Sequence, residues 1–177
     1  MEMRVKTVKY ERLFSFEKYQ NHRIGFEVEL NEHDDEAAIL GELYFKVLGL
    51  HTALEVHRKL MEVSFELPRK ISSVAEKLRR VKEDLAEIEA ARSKLKHVED
   101  EEERYQLACK LKTEKSLQRN KIEYEDELDE LTELQKEVDK AILETRKLIL
   151  SGDFEEVLER YKDLLEQSTG IISSYYY

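Results

Sequence analysis

The sequence has very little of the residue types that mark covalent links and turns. Cysteine occurs once, as Cys109, proline once, as Pro68, and glycine five times in 177 residues. A single cysteine excludes a disulfide bond within the chain and a zinc site made of cysteines. Because so few positions carry a turn-forming residue, we expect long elements joined by few turns.

Long apolar runs and an excess of positive charge are also missing. No run approaches the ~20 residues that span a bilayer, and the N-terminal residues lack the apolar core of a secretory signal. The formal net charge of −10 argues against a chain that, taken as a whole, binds nucleic acid or an anionic membrane. We therefore expect a cytoplasmic protein without membrane contact.

Charged residues, by contrast, are abundant, and they surround a narrow apolar pattern. They make up 40% of the sequence, far above the ~25% of an average protein. Apolar residues recur at alternating steps of three and four, which is typical of a coiled-coil seam. The seam consists of Ile71, Val74, Leu78, Val81, Leu85, Ile88, Leu95, Tyr124, Leu128, Leu131, Val138, Ile142 and Ile149. The enrichment in Lys and Glu with scarce Cys and Met is also a thermophile-like composition.

The seam is interrupted at Glu99–Glu103, where five acidic residues follow one another. One interpretation is a polar turn near residues 97–103, which gives an antiparallel helical hairpin. The other is one helix to about residue 150 with a discontinuity in the heptads, which gives a parallel dimer. The absence of glycine and proline weakens the first interpretation, and the loss of the seam weakens the second. We favour the hairpin, with a returning helix over about 104–150.

The N-terminal region predicts two strands and a helix that covers them. Apolar and aromatic residues fall on one parity in residues 8–16 and again in residues 24–30, and Glu17–Asn21 is short enough for a hairpin loop. A lone hairpin is marginally stable, so its apolar face must pack on the following helix. That helix starts within Asn31–Glu36, where acidic residues suit the positive end of the helix dipole.

Glycine and proline suggest where these helices approach a neighbour or end. Gly41 and Gly49 either permit a close approach to the helix, for example by the hairpin, or, at Gly49, mark a helix break. Pro68 predicts a kink or brief break, with a new helix beginning near Arg69. Ser151–Asp153 ends the long helix and caps a shorter one over Phe154–Gln167.

These patterns predict a mainly α fold with three segments. Residues 1–67 form a head of a β-hairpin packed on a helix. Residues 68–150 form a long antiparallel coiled-coil helical hairpin, and residues 151–177 form a short helix and a tyrosine-rich tail. Whether the chain is a monomer or a dimer stays open.

Residues that could carry chemistry do not form a recognisable site in the sequence. His51 and Glu55 have the spacing of a helical metal pair but lack a third ligand, and carboxylates follow the surface of helices rather than a cleft. No phosphate loop, nucleophile elbow or dinucleotide fingerprint occurs. We therefore predict no enzyme activity, no cofactor or metal, and no small-molecule substrate.

Two groups of residues are candidates for binding a macromolecule. The basic and aromatic residues of the hairpin could follow a phosphate backbone and stack on bases: Lys6, Lys9, Arg12, Tyr19, His22 and Arg23. In the alternative interpretation, the hairpin aromatics are core and its lysines only protect a strand edge. Tyr175, Tyr176 and Tyr177 either bind a partner or form an unconstrained terminus.

Two short stretches resemble known proteins. The runs Lys9–Arg12, Arg23–Gly25 and Glu27–Glu29 resemble the opening of small uncharacterised proteins from archaea, bacteria and their viruses, which implies the hairpin but no activity. The run Gly152–Tyr161 looks like the start of the second helix of a tetratricopeptide repeat, without a second copy of the unit.

The sequence thus favours a non-enzymatic structural or protein-interaction module with a coiled-coil stalk. Its partner is another protein or a second copy of the chain, bound through the coiled coil. The alternative is a nucleic-acid-binding accessory protein that uses the basic and aromatic hairpin.

Overall fold

The computed structural model describes residues 7–17, 20–31 and 33–173, and it shows a mainly α fold. Two strands, β1 (Thr7–Glu17) and β2 (Gln20–Glu29), precede four helices. The helices are α1 (Glu36–Leu95), α2 (Glu101–Leu111), α3 (Glu114–Ser151) and α4 (Phe154–Ser173). The predicted hairpin, long helices and short C-terminal helix are confirmed, and α4 extends beyond the predicted Gln167.

The hairpin is antiparallel and packs on α1, as its alternating pattern predicts. Tyr10 lies opposite Phe26, and an irregularity in the register falls between Ser15 and Glu17. The inward side chains Phe14 and Ile24 are buried together with Val47 of α1, and partly buried apolar residues surround them: Tyr10, Phe26, Leu50 and Leu54. Burial of this apolar surface is what stabilises a two-stranded sheet that would otherwise be marginal.

Helix α1 begins at a capped turn. The Asp35 carboxylate accepts hydrogen bonds from the backbone amides of Ala37, at 2.9 Å, and Ala38, at 3.4 Å. These bonds satisfy amides that have no partner within the helix. The predicted start within Asn31–Glu36 is therefore confirmed.

Of the kink or brief break predicted at Pro68, the break is wrong, because α1 continues through this residue to Leu95, and the kink stays a prediction. Proline removes one backbone hydrogen bond from a helix interior, a cost that neighbouring packing can offset. Here Pro68 is exposed, whereas Leu67 beside it and Val74 are completely buried. The buried residues hold the chain helical across the proline, and no new helix starts near Arg69.

The polar turn lies at residues 96–100, so α1 does not continue into the acidic run. Asp100 caps α2, since its carboxylate accepts bonds of 2.9 Å from the amides of Glu102 and Glu103. The acidic residues Glu101–Glu103 thus form the first helical turn, where the helix dipole favours them, rather than the turn between helices.

The returning helix is divided in two, which the sequence did not predict. The amides of Lys112 and Thr113 bond to the carbonyls of Cys109 and Lys110, both at 3.2 Å. The Thr113 hydroxyl also donates to the Lys110 carbonyl at 2.8 Å. Such local bonds compete with the regular helical pattern, and α3 begins only at Glu114.

The chain forms two compact units. Unit 1 contains residues 1–63 and 138–177, and unit 2 contains residues 64–137. The units therefore group distant parts of the sequence, and the division into three consecutive segments stays a prediction.

Unit 2 consists of the second part of α1, helix α2 and the first part of α3. Partners across the helices run in opposite directions along the chain: Gln135 donates to Ser64 at 3.2 Å, and Lys82 pairs with Glu125 at 3.0 Å. Arg92 pairs with Glu114 nearer the turn. The buried residues between the helices come mainly from the predicted seam: Val74, Leu78, Val81, Ile88, Ala91, Leu131 and Leu134.

Unit 1 consists of the hairpin, the first part of α1, the end of α3, and α4. The α3–α4 turn fits its sequence, because Gly152 has a φ of 89°, which is unfavourable for other residues. The Asp153 amide bonds to the Leu148 carbonyl at 2.9 Å and the Gly152 amide bonds to the Ile149 carbonyl at 3.3 Å. This pair of bonds defines a Schellman motif and confirms the predicted end of the long helix.

Candidate interaction surface

Residues 37–54 of α1 are apolar on almost all sides. Within residues 37–54 the only charged side chains are Glu42 and Lys46. An 18-residue window of α1 reaches a mean hydropathy of 1.2, with 17% of it buried. By length and composition alone, such a window could cross a membrane, a test that core helices of soluble proteins also pass. A helix of this composition normally lies within a core, so its exposed side calls for an explanation.

The exposed side of this segment forms one continuous surface, which we call the α1 face. It comprises Ala37, Gly41, Tyr44, Phe45, Leu48 and Thr52. At 100° per residue these positions fall within roughly 100° of the helix circumference. Phe45 is 70% exposed, whereas Tyr44 and Leu48 are just over one third exposed. The face therefore presents four helical turns without a charged side chain.

Neighbouring side chains hold the aromatic residues of the α1 face in place. The Tyr44 ring lies edge-on to Tyr10 of the hairpin, with 5.7 Å between ring centroids, and edge-on to Phe45 at 5.4 Å. The hydroxyl of Thr52 donates to the Leu48 carbonyl at 2.9 Å, so it is satisfied within the helix. These contacts reduce the conformational freedom that a partner would otherwise have to remove on binding.

One border of the α1 face is an open groove of about 880 Å³ between α1 and the start of α4. Its apolar lining comes from Phe45, Leu48, Phe154 and Leu158, and charged residues of both signs surround it. At its base the helices approach closely, because a Cβ on Gly49 would lie 3.3 Å from the Cβ of Phe154. Gly49 is thus a site of close approach rather than a helix break, and the neighbour is α4 rather than the hairpin. A Cβ on Gly41, by contrast, would meet nothing within 4 Å.

Polar contacts join α1 and α4 to the end of α3 beneath this surface. His57 Nδ1 lies 2.7 Å from the hydroxyl of Thr145, which is completely buried and also donates to the Ile142 carbonyl at 3.1 Å. Burial, and to a smaller extent the charge of Arg146, lowers the pKa of His57 below its usual 6.5. Both causes favour the neutral form of the ring.

A second contact links α4 to α3. The Tyr161 hydroxyl donates to the Glu144 carboxylate. Burial first, and then this bond, raises the pKa of Tyr161 to about 12. The same bond lowers the pKa of Glu144. Both effects favour a neutral phenol bound to an ionised carboxylate, an arrangement that fixes α4 rather than one that prepares either group for catalysis.

The hairpin residues that were candidates for nucleic-acid binding do not share one side of the sheet. Lys9 and Arg23 are exposed on the outer side, where Lys9 pairs with Glu11 at 2.7 Å. That bond raises the pKa of Lys9. Arg12 belongs to the inner side, with its guanidinium 5.4 Å from the centre of the Phe14 ring. The other candidates, Lys6, Tyr19 and the side chain of His22, lie outside the described residues, as do Tyr175–Tyr177.

His51 lies under the hairpin rather than in a metal site. Its ring stacks on Phe14, with 3.8 Å between centroids and 17° between planes. Burial lowers the pKa of His51, and the charge of Glu55, 3.9 Å away, opposes this effect. Within the described part of the chain, no group of three or more His, Cys, Asp or Glu side chains is arranged to hold a metal ion.

The α1 face was not among the candidate sites that the sequence suggested. The three–four spacing of apolar residues does not distinguish a buried stripe of this helix from the residues that face away from it. The scarcity of charge in residues 37–54 was the available signal.

Comparison of the chain with protein-family models, with curated proteins and with solved structures gave no match.

Proposed function

We propose that the chain is a non-enzymatic protein-interaction module, with the α1 face as its contact surface and the paired helices of unit 2 as a coiled-coil stalk. The observation that carries this proposal is the exposure of Phe45, at 70%, on a helix face that has no charged side chain over four turns. Single exposed apolar residues are ordinary, but a continuous apolar face bounded by charged residues is typical of a binding site.

Aromatic residues support the assignment of this face more than its area does. Tyr and Phe are enriched where proteins bind one another, and a few such residues usually account for most of the binding free energy. Tyr44 and Phe45 are already ordered by contact with each other and with Tyr10. A partner would therefore gain apolar burial at a small entropic cost.

The stalk part of the proposal is based on unit 2. Its buried residues follow the three–four spacing of a coiled coil, and ion pairs such as Lys82–Glu125 flank them. Such a pair of helices contributes length and specificity rather than a cleft for chemistry. A cytoplasmic location belongs to the same proposal.

The second candidate is a nucleic-acid-binding accessory protein that uses the hairpin. Exposed Lys9 and Arg23 favour it. Glu11 and Glu27 accompany them on the outer side of the sheet, however, and a phosphate backbone would be repelled by these carboxylates. We therefore place it behind the protein-interaction module.

The experiment compares two substitutions of exposed phenylalanines on α1. Phe45→Glu places a charge in the α1 face, and Phe65→Glu, at a residue that is 67% exposed in unit 2, is the matched control. Each variant is returned to the native source with a crosslinker and recovered quantitatively. We expect Phe45→Glu to lose the proteins, including further copies of the chain, that wild type and Phe65→Glu recover in common.

Equal recovery by the two variants would refute the assignment of the α1 face.

Filter binding to DNA and RNA at two salt concentrations addresses the second candidate. Binding that falls when Lys9 and Arg23 are replaced, and that weakens with salt, would place the hairpin function first.

A further inference from the structure

We infer that the α1 face binds the same face of a second copy of this chain, with the two α1 helices antiparallel about a two-fold axis near residue 43. This inference rests on the proposed function and names the partner of that surface. In the arrangement, Phe45 of each copy lies over Gly41 of the other, and Leu48 lies toward Ala37 and Ala38.

The α1 face has small side chains at one end and large side chains at the other. Ala37, Ala38 and Gly41 come first along the helix, and Tyr44, Phe45 and Leu48 follow within three turns. Open space surrounds the position where a Gly41 side chain would be, and the Phe45 ring is the most exposed part of the face. A two-fold axis between them places each ring over the other copy's notch, so the surface is complementary to itself.

The α1 face also lacks charged side chains. An acidic or basic partner would find no ion pair on the α1 face, because Glu42 and Lys46 point to another side of the helix by their spacing. The occupant must therefore be apolar over the same four turns. A second α1 face meets this requirement without any further assumption about another protein.

The exposed area of the α1 face limits the strength of the association. Phe45 is 70% exposed and Tyr44 is 37% exposed. With ~200 Å² of surface for each aromatic side chain, the two together expose on the order of 200 Å² to a partner. With the leucines and small residues, the face offers on the order of 400 Å² per copy, about half of the ~800 Å² of a standard interface. We therefore expect a weak dimer with a dissociation constant in the micromolar range or above.

The net charge of −10 on each copy predicts how salt affects this dimer. Two acidic molecules repel each other, and salt screens the repulsion, whereas the apolar contact itself does not weaken with salt. Association should therefore strengthen as salt is raised. Nucleic-acid binding would change in the opposite direction.

The test is sedimentation equilibrium of the full chain from low micromolar to near-millimolar concentration. Phe45→Ala removes the ring, and Gly41→Phe fills the notch, so each should weaken association by about tenfold or more. The double variant Gly41→Phe/Phe45→Ala exchanges ring and notch, and the two-fold axis again brings them together. We expect the double variant to recover most of the association that either single variant loses.

Phe65→Ala is the matched control, because Phe65 is equally exposed on the same helix but outside the α1 face. It should associate as wild type does. Thermal unfolding of every variant at low concentration checks that the chain still folds, which the exposure of Phe45 and the open space beside Gly41 favour.

Three results would overturn the inference. They are a wild-type monomer at every concentration, association that neither Gly41→Phe nor Phe45→Ala changes, or a double variant that associates no more tightly than the more weakly associating single variant. A monomeric wild type that nevertheless loses a different native partner on Phe45→Glu would refute the second copy and leave the interaction module standing. If no variant weakens self-association and Phe45→Glu recovers the same proteins as wild type, both the second copy and the interaction module are refuted.

Discussion

Helix α1 changes character between its two parts. Residues 36–63 carry seven charged side chains, and residues 64–95 carry fourteen in a segment of nearly the same length. The first part contributes to unit 1, where the hairpin, α3 and α4 also belong. The second part contributes to unit 2, where it pairs with α2 and α3.

The difference in charge follows from how many neighbours each part has. In unit 2 one narrow stripe is buried and the rest of the helix is solvated, so ion pairs such as Arg79–Glu76, at 2.8 Å, occupy its surface. In unit 1 the hairpin covers Val47 from one side and α4 covers Gly49 from another. The α1 face is therefore a stretch where low charge and exposure coincide, and this is why we assign the interaction there.

The largest effects should come from buried leucines in the two parts. Leu60 and Leu67 are both completely buried, two turns apart on α1. Replacing either with alanine removes buried methyl groups and leaves a cavity, at a cost of about 2–5 kcal/mol in the free energy of unfolding. We expect Leu60→Ala to lie nearer the upper value and Leu67→Ala nearer the lower, because the hairpin, the end of α3 and α4 share unit 1 with Leu60, whereas α2 and the first part of α3 share unit 2 with Leu67.

Urea unfolding of the two variants measures these free energies. Leu13→Ala, at a residue that is 59% exposed on the hairpin, is the control and should change the free energy of unfolding by less than about 1 kcal/mol. A larger loss for Leu67→Ala than for Leu60→Ala would contradict the idea that unit 1 is the more constrained of the two.

Replacing each of three glycines with alanine should change the free energy of unfolding by intermediate amounts that differ in sign. Gly41→Ala should stabilise the chain by about 0.5–1 kcal/mol, because alanine favours the helix and its Cβ meets nothing within 4 Å. Gly49→Ala should lose this gain, since the new Cβ would press on Phe154 at 3.3 Å. Gly152→Ala should destabilise the chain by about 1 kcal/mol, because its φ of 89° strains any other side chain.

Thermal unfolding at low protein concentration, where association is weak, measures the three changes. Equal gains for Gly41→Ala and Gly49→Ala would show that α4 does not approach α1 as closely as Gly49 and Phe154 indicate.

Much of the fold could be predicted because local signals agreed with the final packing. The alternation in residues 24–30, the capping Asp35 and the sequence Ser151–Asp153 each determine geometry through neighbouring residues alone. The hairpin on α1, the end of α3 and the start of α4 were therefore predicted correctly. The seam also placed Val74, Leu78 and Leu131 in the buried set.

The failures occur where the sequence pattern does not show which contact decides the outcome. Pro68 suggests an interruption by its chemistry, but burial of Leu67 and Val74 overrides it. Thr113 looks ordinary in the sequence, yet its hydroxyl bond to Lys110 accompanies the end of α2. The α1 face could not be recognised from spacing, because an apolar helix with three neighbours and one with a free side have the same sequence pattern.

The smallest expected effect is a pH dependence confined to unit 1. Burial lowers the pKa of both His51 and His57 below the usual 6.5. Between the lowered values and 6.5 the unfolded chain binds more protons than the folded chain, so the free energy of unfolding decreases as pH falls through this window. Well above 6.5 the two histidines contribute no slope, because they are neutral in both the folded and the unfolded chain.

The double variant His51→Gln/His57→Gln should flatten this part of the profile while keeping side chains that can form hydrogen bonds. Urea unfolding between about pH 5 and pH 8 measures the slope, and hydrogen exchange shows which amides open. We expect acid to accelerate exchange in residues 43–60 more than in residues 74–91. A profile that is the same in the double variant, or acid opening that begins in unit 2, would mean that protonation of the buried histidines does not distinguish the two parts of α1.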